Sequence, residues 1–144
     1  AMERRREDGY IISTDKQLLD VNYIYHWLSE VSYWARGRSR ETVEQSIANS
    51  LCFGLYHGSK QVGFARVVTD LATFGWLCDV FVDESERGRA LGKWLIQVVV
   101  NHPDLAHLRR MLLATHDAHE LYRKYGGFEM LGTPERWMAK TQSV

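Results

Sequence analysis

From Tyr10 onward, the spacing of apolar and polar positions predicts a run of short strands and helices. Tyr10–Ser13 reads as a strand, and Thr14 followed by Gln17 is a capping-box signature opening a helix with Leu18, Val21, Ile24, Leu28 and Val31 on one face. Ser39 opens a second helix that turns Val43 and Ile47 inward and ends near Asn49. Leu51–His57 and residues 61–69 read as strands joined across Gly58-Ser59, and residues 73–82 add a third to this antiparallel meander. Leu91–Val100 is a long apolar helix stopped at His102-Pro103. Residues 109–115 read as a strand, 117–125 as a helix, and 128–131 and 136–140 as closing strands. The order βααβββαβαββ predicts an α/β (α+β) domain, with a mixed, mostly antiparallel sheet flanked by helices.

No repeat, low-complexity stretch or linker interrupts the pattern, so residues 10–144 are expected to form a single domain. Residues 1–9 lack periodicity and place a residue ahead of Met2; they are expected to be a cloning remnant and a mobile tail, with the Arg4–Arg6 run solvated. A chain of 144 residues can bury about two-thirds of the surface its unfolded form exposes.

The 18 basic and 18 acidic side chains cancel, which argues against broad nucleic-acid or membrane-surface binding. No apolar run reaches membrane-span length and no leader is evident, so a cytoplasmic protein with no membrane partner is expected. Cys52 and Cys78 lie in apolar, strand-like text and are expected to be buried free thiols. No Cys/His cluster has zinc spacing, and no metal is expected.

Chemistry gathers after the third meander strand, where an acidic turn leads into a basic, glycine-bearing loop that opens a helix. A helix start offers unpaired N–H groups and a partial positive charge to a phosphate. Gly88 and Gly92 permit close backbone approach, and Arg87, Arg89 and Lys93 add countercharge. Neither the dinucleotide fingerprint nor the P-loop spacing is present.

The run Arg87-Gly88-Arg89-Ala90-Leu91-Gly92 resembles the acyl-CoA loop of the GCN5-related N-acetyltransferases, the GNAT superfamily, whose signature is Gln/Arg-x-x-Gly-x-Gly/Ala. Ala90 stands where that family usually has glycine. Thr115 to Phe128, ending Leu121-Tyr122-Arg123-Lys124-Tyr125-Gly126-Gly127-Phe128, is similar to the second GNAT hallmark, with one glycine doubled. The likeness spans roughly residues 10–140.

The resemblance implies a GNAT fold and acetyl transfer from acetyl-CoA, as cosubstrate, to a primary amine by direct attack in a ternary complex, without a covalent acyl-enzyme. It implies that the backbone of Val80, Phe81 and Val82 pairs with the pantetheine arm, and that Gly88, Arg89, Ala90, Leu91, Gly92 and Lys93, with Arg87, hold the pyrophosphate. Tyr122 falls on the position of the acid that protonates the departing thiolate, and Asp117 is read as the cap of its helix. Asp79 can take the ammonium proton or bind a cationic acceptor; some related enzymes carry a glutamate one residue earlier, where this chain has Cys78, so the base stays open. His116 and His119 are either proton relays or surface residues.

Tyr33 and Trp34 fall where the family builds its acceptor wall: they either stack on a cation or roof the core. Arg36 and Arg38 either receive a carboxylate or are solvated, and Trp137 is a candidate for closing the cavity. The acceptor is read as a small-molecule or protein amine, and a homodimer is possible. The rival readings are a non-catalytic CoA-binding or regulatory domain and a partner-binding module.

Overall fold

The computed structural model describes residues 1–142. Six strands form one sheet in sequential order: β1 (Glu3–Arg5), β2 (Tyr10–Ser13), β3 (Leu51–His57), β4 (Lys60–Thr69), β5 (Phe74–Val82) and β6 (Arg110–Leu112). Every neighbouring pair is antiparallel except β5 and β6, which are parallel and joined by the crossover helix α3 (Leu91–Val100). Helices α1 (Val21–His26) and α2 (Arg40–Ala48) lie between β2 and β3, and α4 (His119–Gly126) follows β6.

Both faces of the sheet are covered, so β3 and β4 are buried almost continuously along their length. On one face Phe53, Leu55, Val62 and Val67 pack with Leu91, Leu95 and Val99 of α3. On the other, Cys52, Phe64 and Phe81 meet Ile24, Leu28, Val43 and Ile47. Each large aliphatic side chain buried in these layers contributes roughly 1.5–3 kcal/mol.

Helix α2 begins as its sequence predicts: Ser39 accepts from the Thr42 N–H, and Val43 and Ile47 face the core. The first helix does not run from Thr14 to Val31. Asp15 caps a single tight turn at Lys16–Leu18, and Asp20 then caps α1 by accepting from the Tyr23 N–H at 3.0 Å. Past His26 the coil widens over Trp27–Val31, closing with the Ser32 N–H on the Trp27 carbonyl. Of the anticipated face only Ile24 and Leu28 are buried, while Leu18 and Val31 are exposed.

The segment expected to be a mobile tail carries β1, which pairs Glu3 to Arg5 with Ser13 to Ile11 and gives the sheet a charged edge. At the other end, residues 128–131 and 136–140 are not strands; Pro134–Arg136 forms a tight helical turn instead. A strand persists only where an edge pairs with it and its apolar face is covered, and Met130 and Met138 are both exposed here. The strand predicted over 109–115 is confined to Arg110–Leu112. Among the described residues, no helix is long and apolar enough to cross a membrane.

Candidate active site

Strand β5 is irregular where the sequence places its chemistry. Phe64 of β4 faces Phe81 and Arg66 faces Cys78, so Ala65 alone spans both Asp79 and Val80. The extra residue is a bulge, with Asp79 at φ 52, a conformation that costs a non-glycine residue about 1 kcal/mol or more. On its other side β5 pairs with β6 only from Phe74 to Trp76. Beyond that point the strands part, leaving the β6-facing backbone edge at Val80, Phe81 and Val82 open. Val80 and Val82 pack toward α3 and α4, whereas Phe81 turns the opposite way and stacks on Trp27 at 4.1 Å.

A cavity of about 360 Å³ occupies this divergence, with Val80 on one wall and Leu113, Thr115 and Tyr122 on the other. The side chain of Asp79 is 1% exposed. One carboxylate oxygen accepts from Trp34 Nε1 at 2.9 Å, and the other accepts from Arg38 Nη1 and Arg66 Nε, each at 2.9 Å. With its oxygens turned to these three protein donors, Asp79 is placed as an anchor for them rather than as the base. Arg66 and Trp76, which also line the cavity, were not singled out in the sequence. Arg66 sits in an apolar strand, and only its tertiary partner marks it.

Tyr122 stands on α4 with its ring edge-on to Phe128 at 6.0 Å. Burial, and then the neighbouring Tyr33 and Cys78, push its phenol up to about 12, so it keeps its proton at neutral pH. Burial also pushes the Cys78 thiol up to about 12 and the Cys52 thiol to about 11, so neither is a ready thiolate. Tyr33 lies edge-on to Trp34 at 5.1 Å, and its hydroxyl accepts from the His116 N–H at 3.1 Å.

Other expected residues fall elsewhere. Asp117 does not cap α4: Thr115 Oγ1 takes the Ala118 N–H at 3.1 Å, and Asp117 stands exposed on the cavity rim. Arg36 and His119 are exposed, and Trp137 packs under Arg110, with the guanidinium 5.3 Å from its ring centroid. The doubled glycine has two causes. A Cβ on Gly126 would stand 2.8 Å from Phe128 and 3.0 Å from Ile96, and Gly127 turns left-handed, at φ 75, to end α4.

A second, wide cavity of about 400 Å³ lies over the basic loop, lined by Val82, Arg87, Gly88, Ala90, Gly92 and Lys93, with Leu121 and Tyr125 of α4. Gly88 has φ 85 and Ala90 φ 59, and no side chain caps α3. A Cβ on Gly88 or Gly92 would meet nothing within 4 Å, so open space borders the backbone at the head of α3. Lys93 lies 4.8 Å from the Tyr125 ring centroid, while Arg89 is paired with Glu86 at 3.3 Å. Val80 and Val82 lie two residues apart on β5, and Tyr122 follows Leu121 on α4, so the two cavities border the same two elements.

Comparison with known proteins agrees with this geometry. The Acetyltransferase (GNAT) family matches residues 21–128. A candidate acetyltransferase of Gibberella zeae is 32% identical over 83% of this chain and 79% of its own length. The crystal structure of a candidate GNAT acetyltransferase from Xanthomonas campestris superposes with a TM-score of 0.89 at 44% identity, covering 92% of this chain and 93% of that one. A candidate acetyltransferase from Clostridium acetobutylicum, solved with acetyl-CoA, shares the fold at TM-score 0.64 and 13% identity, covering 97% and 96% of the two chains.

Proposed function

The chain belongs to the acetyltransferase (GNAT) family, and on that premise we propose that it moves the acetyl group of acetyl-CoA to a primary amine by direct attack, with both substrates bound at once. The observation that supports this best is the parting of β5 from β6 beside the neutral phenol of Tyr122. Acetyl-CoA supplies an activated thioester, and the chain supplies its place and a proton. The head of α3 fits the pyrophosphate, with Arg87 and Lys93 as cations, and the open edge at Val80 to Val82 fits the pantetheine arm as an added strand. The amine enters the neighbouring cavity between Tyr33, Trp34 and Tyr122 in its neutral form. As nitrogen bonds to the carbonyl carbon and the carbon–sulfur bond breaks, Tyr122 gives its proton to the leaving sulfur, and the proton shed by the nitrogen passes to solvent, from which the phenolate is reprotonated. Asp79 acts as the buried counter-ion that fixes Arg38, Arg66 and Trp34 around the acceptor.

Calorimetric titration with acetyl-CoA, paired with a thiol-release assay over primary amines, tests the reading. Tyr122→Phe is expected to lower kcat by about 10²-fold while leaving acetyl-CoA affinity unchanged. In the parent protein kcat/KM rises with pH as the amine loses its proton. It shows no falling limb up to pH ~10 from Tyr122, because that phenol titrates only near 12. Full turnover by the Phe variant would remove Tyr122 from the acid role, and absence of acetyl-CoA binding would remove the reaction itself.

A further inference from the structure

We propose that the acceptor is a small amino carboxylic acid whose carboxylate docks on Arg38, with Arg66 behind it. This rests on the amine-acetylation reading above and narrows it to a substrate class. Two guanidinium groups face a single carboxylate at the cavity floor, so the cluster of Arg38, Arg66 and Asp79 carries an uncompensated positive charge. The side chains of Arg38 and Arg66 are only 18% and 12% exposed, and a net charge in so dry a place is costly unless an anion completes it. Arg66 gives Nε to Asp79 and Nη1 to Ser50 Oγ at 3.0 Å. Arg38 gives only Nη1 to Asp79, and its Nε and Nη2 meet no acceptor among the described residues.

The Arg38 backbone is itself held. Its N–H donates to the Ala35 carbonyl at 3.0 Å, and its carbonyl accepts from the Ser29 hydroxyl. The unpaired part of the fork is thus preorganised, and a fork of N–H donors matches a planar carboxylate two bonds at a time. Asp79 already accepts three hydrogen bonds and is outnumbered by two guanidinium groups, so the floor disfavours a second ammonium. The one other acidic side chain on the cavity, Asp117, stands at the rim beside Ala118 and Tyr122, on the side where the amine must react. An amino acid can therefore set its carboxylate on Arg38 and its neutral amine beside Tyr122, while Trp34 and Trp76 bound the space left for a side chain.

The experiment measures acetylation of free amino acids against their carboxamides, with spermidine and phosphoethanolamine as further arms, alongside calorimetric titration with acetyl-CoA. Carboxamides have the less basic amine and offer more of it in neutral form near pH 8, which biases the comparison against the proposal. The free acid is expected to be preferred over its amide by at least ~10²-fold in kcat/KM. Arg38→Met and Arg38→Lys are expected to raise KM for the acid ~10-fold or more and to leave KM for acetyl-CoA unchanged. The wild-type panel decides the matter should the Met variant fail to fold. Acetyl-CoA binding together with equal or better turnover of the amides, of spermidine or of phosphoethanolamine, or with no acid acetylated, overturns the inference while the acetyltransferase reading stands. A protein that neither binds acetyl-CoA nor acetylates any amine overturns both.

Discussion

Ala90 holds φ 59 and ψ 28 at the head of α3, in the region where a side chain crowds the following carbonyl. That strain is worth roughly 1–2 kcal/mol, and glycine in the same place would escape it while losing about 0.5–1 kcal/mol to the greater freedom of its unfolded chain. The difference favours glycine. Ala90→Gly is therefore expected to raise Tm by roughly 2–4 °C in a thermal melt. A fall in Tm would mean that the alanine rigidifies the loop by more than it strains it. Asp79 is the comparable case on β5, yet its positive-φ backbone carries a side chain that three donors require, so glycine there would strip Arg38 and Arg66 of their shared counter-ion.

Helix α1 has six residues, too few to hold a helix unaided, and tertiary devices fix it in place. Asp20 caps it while its own N–H donates to the buried Gln61 side chain at 2.7 Å, and Trp27 lies flat against Phe81. Because the chain passes from α1 through the widened coil of Trp27–Val31 to Tyr33 and Trp34, the cap also supports the proposed acceptor wall. Asp20→Ala is expected to cost about 1 kcal/mol, seen as a Tm drop of roughly 3–5 °C, and to raise KM for the amine more than KM for acetyl-CoA. Equal effects on both substrates would mean that α1 supports the fold without shaping the wall. The same devices explain what could be read beforehand. Local signals placed α2, through Ser39, Val43 and Ile47, and α3, through its apolar stripe. The first helix was misplaced because Asp15 and Asp20 outcompete Thr14 as caps. The closing strands were misplaced because a strand depends on a partner edge that no local pattern reports.

Across the whole molecule, the part of the candidate site that the sequence could propose was the part whose chemistry is local and borne by the backbone: the edge of β5 and the head of α3. Arg66 escaped notice because its meaning lies in Asp79, to which Arg38 and Trp34 also come from 41 and 45 residues away. A second long-range tie joins the first strands to the loop over the wide cavity at the head of α3. Arg6 donates to the Arg89 carbonyl at 3.0 Å across 83 residues, and its guanidinium lies 5.5 Å from the Tyr10 ring centroid and 5.3 Å from that of Trp94. Tyr10 in turn donates to Glu86, which pairs with Arg89. The segment before Tyr10 thus braces the basic loop proposed to hold the pyrophosphate. Arg6→Ala removes that brace and leaves every cavity-lining residue in place. It is expected to weaken acetyl-CoA binding by about 3–10-fold in calorimetry, since a loop that must be ordered on binding lowers affinity, and to leave KM for the amine unchanged. Unaltered acetyl-CoA affinity would show that Glu86 and the turn capped by Asp83 hold the loop without help from the first strand.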